Sequence, residues 1–287
     1  MSKLTVKNHD RDIAGYRYIY PVISRRSGGL SIGINFNTNN ACNWRCVYCQ
    51  VPDLTIGAAP ELDFDLLATE LSDFLQDVLH GSFYDRYQLE PEMRVIKDIA
   101  ISGNGEPTSV KEFTKAIATI IRLVEQAKIP DPFQYVLISN GSLMHKAEVQ
   151  SGLQLFNQYN GQIWYKLDSA TDLGREKVNH AGLSSQKQID NLISSAKQCT
   201  TWIQTCVLGF APDKGQGGLV ELQEQQAYLA LLAKVMQQVS LQGVMLYSLA
   251  RPSLQPEANI ISSASIEQLD EFAGQIRKLG LNVAVSL

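Results

Sequence analysis

Nowhere does the chain hold an apolar run approaching the roughly 18 to 20 residues that a membrane-crossing helix needs. Its opening stretch, MSKLTVKNHDRDIAGYRY, also lacks an apolar core of signal-peptide length. Both absences lead us to expect a cytoplasmic protein with no membrane association. Positive charge is not in surplus: 25 Lys and Arg stand against 29 Asp and Glu, a net charge of −4. Nucleic-acid binding leans on cations facing phosphate, so any such partner would have to meet a local basic patch. No segment repeats at a fixed period and none is low in complexity, which excludes solenoid and biased-composition architectures. Cysteine is scarce, and its five residues are an odd number, the wrong basis for the disulfide framework of a secreted domain.

What is present is an alternation. With 287 residues and 45% hydrophobic content, the chain can build one large core, although the length alone would also allow two ordinary domains. Short β-branched or aromatic runs alternate with longer stretches of helical period, the pattern of βαβ units and a parallel sheet. Strands are expected at 30–36, 98–102, 134–139, 163–168, 202–208 and 244–249, with a last one at 281–287. Between the first two, Phe64, Leu67, Leu71, Phe74, Leu75 and Val78 share one helical face. The final helix opens at Ser265 with Gln268 three residues on, a capping box. It turns Ile266, Leu269, Phe272, Ile276 and Leu279 inward and stops at Gly280. Residues 80–94 fit neither period and read as an irregular surface connection. The simplest division is an N-terminal arm over 1–29 and one α/β domain over 30–287.

Three of the five cysteines lie in CNWRCVYCQ, residues 42–50, just beyond the first expected strand. Barrels and doubly wound sheets both keep their chemistry at that end of a strand. Three thiolates from Cys42, Cys46 and Cys49 can hold three irons of a four-iron, four-sulfur cube and leave the fourth iron open. A zinc site would need a fourth thiolate, and Cys199 and Cys206 are poorly spaced to supply it. A purely packing role for all three is poorer still, because Asn43, Trp44 and Arg45 between them form no buried face.

The spacing C-x3-C-x2-C, with the aromatic Tyr48 before Cys49, resembles the radical S-adenosylmethionine enzymes. The resemblance implies a [4Fe–4S] cluster on Cys42, Cys46 and Cys49 whose open iron chelates S-adenosylmethionine. One electron then cleaves that molecule to methionine and a 5′-deoxyadenosyl radical, which abstracts hydrogen from a substrate. SGNGEPTS, residues 102–109, is similar to the family's Gly-Gly-Glu-Pro segment, with Asn104 in place of the first glycine. That likeness makes Gly103, Asn104, Gly105, Glu106 and Pro107 cofactor-binding candidates, together with Tyr48. ISNGS, residues 138–142, matches the family's third-strand segment and adds Ser139 and Asn140, against the alternative of a plain turn with Gly141 at positive φ. Over most of its length, through YPVISRRSGGLSIGIN, KDIAISGNGEPT, KLDSAT, TWIQTCVLG and LYSLARPS, the chain resembles the bacterial branch of proteins related to the wyosine-forming tRNA-modifying enzymes. The fold this implies is α/β, a partial (β/α)6 barrel. The tRNA enzymes hold a second cluster on cysteines upstream of the first motif, and no cysteine precedes Cys42 here.

Strand alternation puts Trp164, Lys166 and Asp168 on one face, and Gln204 and Cys206 on another. Buried opposite charges must pair or serve a ligand, so Lys166 and Asp168 are candidates for a catalytic role, Asp168 also for contact with the cofactor, and equally for a structural pair. Cys206 reads as a small core residue. Arg25 and Arg26, at the join of arm and domain, suit a carboxylate or phosphate, so the substrate is expected to be anionic, unless the pair is solvated or meets Asp10 or Asp12. Three classes follow: radical chemistry on a small molecule, nucleoside or peptide; the same chemistry on tRNA; and activation of a glycyl-radical partner protein. The first two are oxidoreductase-like enzymes that need a one-electron donor such as flavodoxin or ferredoxin.

Overall fold

The computed structural model describes residue 4 and residues 13–24, 28–211 and 218–286. Strands β1 (Ile19–Ser24) and β2 (Gly29–Ile34) are followed by two-residue bridges β3 (Ala41–Cys42) and β4 (Thr55–Ile56). Helix α1 (Phe64–His80) and the short α2 (Phe83–Arg86) lead to β5 (Ile96–Ile101), α3 (Phe113–Ala127), β6 (Gln134–Ser139), α4 (Ala147–Gln158) and β7 (Gln162–Lys166). Then come α5 (Asp172–Asn179), α6 (Ser185–Gln198), β8 (Thr200–Cys206), β9 (Leu208–Phe210), α7 (Leu222–Met236), β10 (Gly243–Tyr247), β11 (Ile261–Ser263), α8 (Ile266–Arg277) and β12 (Val283–Ser286).

Eight strands form one sheet in the order β1-β2-β5-β6-β7-β8-β10-β12. All neighbours run parallel except β1, which pairs antiparallel with β2, from Ile19 opposite Ile34 to Ser24 opposite Gly29. No pairing joins β1 to β12 among the described residues, so the curved sheet is an open, partial barrel. Residues 19–24 of the expected arm thus belong to the sheet as its antiparallel edge. The other expected strands are found, with ends shifted by a few residues.

Period-two alternation separates the two faces of the sheet. In β2, Leu30, Ile32 and Ile34 are fully buried in the outer core, while Ser31 and Gly33 line the concave side. The outer face is covered by α1, α3, α4, α6, α7 and α8, each touching the next. In α1 the apolar stripe buries Leu67, Leu71, Phe74, Leu75 and Val78, as the period predicts, with Phe64 only partly buried. Glu70 is buried with them because its carboxylate accepts the backbone N–H groups of Arg17 and Tyr18, at 2.8 and 2.7 Å, tying the chain before β1 to α1. In α8 the capping box of Ser265 and Gln268 is formed and Leu269, Phe272 and Ile276 face inward. Ile266 departs from expectation: in the first turn it lies outside the stripe and is 38% exposed. The connection over 80–94 is irregular apart from α2 and one turn of 3-10 helix at Pro91–Met93.

Candidate active site

The cysteine loop leaves the C-terminal end of β2 and is clamped on three sides. Arg45 and Val47 donate their backbone N–H groups to the carbonyls of Asn179 and Val178 at the end of α5, at 3.1 and 2.9 Å. From the segment after β10, Ser253 Oγ donates to the Val47 carbonyl at 2.7 Å, and the Leu254 N–H donates to the Cys49 carbonyl at 3.0 Å. From the turn after β6, Asn140 Nδ2 donates to Asn43 Oδ1 at 2.8 Å, and Asn43 Nδ2 donates to Ser142 Oγ at 2.7 Å. Within the loop, Cys49 N–H donates to the Cys46 carbonyl at 2.9 Å, which brings these two cysteines onto one tight turn.

All five cysteines are free thiols, with Cys42, Cys46 and Cys49 half-buried and Cys199 and Cys206 buried. Each thiol of the loop lies within electrostatic reach of another: burial, and then neighbouring charges that include the sister thiols, push Cys42 upward and Cys46 up to about 12. Asn179 Nδ2 donates to Cys46 Sγ at 3.2 Å, the kind of contact that orients a thiolate ligand. Among the described residues no three side chains of His, Cys, Asp or Glu converge on a single ion. A cube in which each thiolate holds its own iron does not need such convergence. The donor set therefore fits a cluster with three cysteine ligands, and Cys199 is set apart, its thiol donating to the Gly161 carbonyl at 3.0 Å behind β7.

The glycines of SGNGEP are required by the cysteine loop itself. A Cβ on Gly105 would lie 2.0 Å from the Ala41 carbonyl oxygen and 2.6 Å from Asn37 Nδ2, and one on Gly103 would lie 2.1 Å from Asn35 Oδ1. Asn104 completes the junction, its N–H donating to Asn35 Oδ1 at 3.0 Å and its Nδ2 to Asn40 Oδ1 at 2.6 Å. Glu106 follows, 1% exposed. Its Oε1 accepts Thr108 N–H at 3.1 Å, Ser139 Oγ at 2.7 Å and the Thr108 hydroxyl, and its Oε2 accepts Asn140 N–H at 2.7 Å. Burial raises its pKa, and these hydrogen bonds oppose the rise. Pro107 and Thr108 are buried in the 3-10 turn that Glu106 caps. Ser139 and Asn140, expected at the cofactor, thus reach Glu106 and Asn43. Gly141 has φ +75°, the turn geometry foreseen for it.

Lys166 and Asp168 form a pair, Nζ to Oδ1 at 3.8 Å, with the Asp168 side chain fully buried. Asp168 also accepts Cys206 N–H at 2.9 Å, Asn179 Nδ2 at 3.0 Å and the Tyr48 hydroxyl. Lys166 Nζ donates to Tyr247 Oη at 2.6 Å and lies 5.0 Å from the centre of the Tyr48 ring. Burial works against its charge, but Asp168 and Tyr247 outweigh burial and raise its pKa. Sequence reasoning missed Asn179, which bridges Asp168 and Cys46, and also Ser253, Asn43 and the pair Arg45–Glu257. That pair is two-pronged, at 2.7 and 2.8 Å, and holds the Glu257 carboxyl down to about 2. All are distant in sequence from what they hold, and Asn43 and Arg45, though inside the cysteine motif, occupy its unspecified positions. Arg25, Arg26, Asp10 and Asp12 lie outside the described residues.

Beneath the loop, the concave face of the sheet encloses a cavity of about 1440 Å³ whose walls include Tyr20, Ser102, Trp164, Trp202, Gln204 and Tyr247. Asn40 and Gln50, just outside Cys42 and Cys49, stand in its wall with Asn104.

No protein-family model matches the chain. Among curated proteins it is 29% identical over 137 residues to the GTPase Obg of Brachyspira hyodysenteriae, an alignment over 48% of this chain and 17% of that protein. It is 27% identical over 141 residues to a UPF0026 protein of Helicobacter pylori, over 48% of this chain and 39% of that one. The chain thus spans well under half the length of these relatives. Among solved structures, a radical SAM methyltransferase from Sphaerobacter thermophilus superposes with a TM-score of 0.62 at 12% identity, covering all of this chain and 77% of the other. TYW1 with a lysine–pyruvate adduct bound gives 0.55 at 14%, covering 96% and 79%, and anSMEcpe with bound AdoMet gives 0.54 at 13%, covering 89% and 63%. At such identities the likeness establishes the fold, and this chain has the partial (β/α) barrel of the radical S-adenosylmethionine type.

Proposed function

We propose that the protein is a radical S-adenosylmethionine enzyme acting on a ligand held inside the barrel. The observation that carries this reading is the gathering of the cysteine loop, the SGNGEP segment and Asp168 above the cavity: Asn104 bonds Asn40 and Asn140 links Glu106 to Asn43 on one side of the loop, and Asn179 links Asp168 to Cys46 on the other. Cys42, Cys46 and Cys49 would hold a [4Fe–4S] cluster, which when reduced by an external donor would supply the one electron needed for reductive cleavage of S-adenosylmethionine.

The chain's own residues hold and orient. Glu106 is a positioning residue: its buried carboxylate ties the turn of Ser139 and Asn140 to the SGNGEP segment. Asp168 is a positioning residue: its carboxylate fixes the Tyr48 hydroxyl and Asn179, which in turn contacts Cys46. Lys166 stays protonated between Asp168 and Tyr247 and keeps the fully buried carboxylate compensated.

An external one-electron donor such as flavodoxin or ferredoxin completes the system, and the net charge of −4 favours a small molecule, nucleoside or peptide over tRNA as substrate. The test is anaerobic reconstitution with iron, sulfide, dithionite and S-adenosylmethionine, followed by chromatographic search for 5′-deoxyadenosine. Its formation supports the proposal even without substrate. A fully loaded cluster that never yields 5′-deoxyadenosine overturns it.

A further inference from the structure

Two side chains of the cavity wall, Gln204 and Trp164, meet no hydrogen-bond partner among the described residues. Gln204, only 7% exposed, projects from β8 into the cavity, and its carboxamide makes no hydrogen bond to any described residue. Trp164, on the cavity side of β7, has a buried indole Nε1–H that likewise meets no partner among the described residues. The Gln204 carboxamide faces the cavity, where it bonds water or whatever displaces it, and is therefore placed to meet something that enters.

The surrounding wall narrows what that is. Trp164 and Trp202 are register neighbours on β7 and β8. Gln204 lies two residues beyond Trp202 on the same face, roughly 6.6 Å along the strand, and its neighbour on β10 is Met245. All four side chains line the cavity. A Cβ on Gly243 would lie 2.5 Å from Trp202 Cζ3, so this indole packs closely against the β10 backbone. Two indoles and a thioether make a surface for a flat, polarisable ring. A glutamine carboxamide offers an acceptor beside a donor and pairs best with a donor beside an acceptor. The nearby charges are already spent on each other, Lys166 on Asp168 and on Tyr247.

We infer that Trp164, Trp202 and Gln204 form the subsite for the uncharged, planar end of the substrate, a ring carrying a carbonyl next to an N–H, as in a lactam. Gln204 pairs with that edge, and the indoles hold the ring. The inference deepens the enzymatic reading above and names the chemistry of its substrate.

The experiment is a calorimetric titration of the full-length protein, without reductant or S-adenosylmethionine, against four probes. 2-Pyridone has the flat ring and the lactam edge; N-methyl-2-pyridone lacks the N–H donor; δ-valerolactam keeps the edge on a puckered ring; benzoate is flat but charged. 2-Pyridone is expected to bind saturably and each other probe about tenfold more weakly. The shape-matched Gln204→Met should abolish the difference between 2-pyridone and its N-methyl form. Trp164→Leu, which removes one of the two flat rings, should weaken 2-pyridone several-fold. No saturable binding of 2-pyridone, equal binding of benzoate, or an unchanged probe ranking in Gln204→Met overturns the inference. Should Gln204→Met fail to fold, the ranking of the probes on the native chain and on Trp164→Leu decides alone. Because no cleavage step is involved, failure here leaves the enzymatic reading to be decided separately, by 5′-deoxyadenosine formation.

Discussion

Replacing Glu106 by Gln should destabilise the fold by about 2 kcal/mol, a figure that follows from its four donors. The carboxylate offers about four acceptor positions. Three donors converge on Oε1, from Thr108 N–H, Thr108 Oγ1 and Ser139 Oγ, and one, Asn140 N–H, on Oε2. A carboxamide of the same shape must put its NH2 on one side. On the Oε1 side it would oppose the Thr108 N–H and break the most bonds, so it takes the Oε2 side and faces Asn140 N–H donor to donor. One charge-assisted hydrogen bond is lost, worth roughly 1.5 to 3 kcal/mol, and a buried backbone donor is left bare. Relief from burying a charge, which is what raises the carboxyl pKa, offsets part of this. Glu106→Ala, which orphans all four donors and opens a void, should cost about 4 kcal/mol or more. Urea unfolding followed by circular dichroism measures both. A Glu106→Gln variant within about 0.5 kcal/mol of the native chain, or an Ala variant no worse than Gln, would refute the reasoning.

Cys42→Ala, Cys46→Ala and Cys49→Ala should each lose the iron and the brown chromophore after anaerobic reconstitution, whereas Cys199→Ala and Cys206→Ala keep both; iron loss in either of the last two would contradict a single three-cysteine site. Gly105→Ala would drive a Cβ to 2.0 Å from the Ala41 carbonyl, so it should cost about 1 to 3 kcal/mol and lower the iron bound per chain; native urea midpoint and native iron content would argue against the flush junction. Tyr48→Phe removes a hydroxyl donor from Asp168 and should lower stability by about 1 kcal/mol, where a role in packing alone would leave it unchanged. Glu257 titrates in the folded chain at about 2 rather than its ordinary 4.5, chiefly through its hydrogen bond with Arg45. Because the folded value is the lower one, its contribution is complete above the ordinary value and fades as the pH falls toward 2. Glu257→Gln should therefore cost roughly 1 to 2 kcal/mol at neutral pH, after allowance for partial exposure, and the two chains should converge in acid urea titrations.

The cysteine loop was legible because its chemistry is local. Three thiolates within eight positions need no fold to be noticed. The strands were legible because alternation and helical period repeat within short windows, and the capping box of α8 because it spans only four residues. The antiparallel edge β1 was not, since its pairing with β2 was hidden in a stretch without a clear period. Nor was the clamp of Ser253, Asn179 and Asn43 around the cysteine loop, whose partners lie up to 206 residues apart in sequence.

The residues of SGNGEP mark the boundary between the two kinds of knowledge. Sequence by itself determined that a glycine turn and a carboxylate follow the second parallel strand, and glycine's lack of a side chain predicted a close approach there. Only the tertiary structure decided what approaches: the backbone at Ala41, brought within 2.0 Å of where a Cβ would stand, and four donors from two segments gathered around Glu106. Likewise alternation put Gln204 on the inner face of its strand, while its lack of a partner among the described residues depends on every strand that curves around the cavity. Periodicity and motif spacing are properties of neighbouring residues. Burial and hydrogen-bond satisfaction belong to the assembled sheet and helix layers, because they depend on which distant segments displace water from each group.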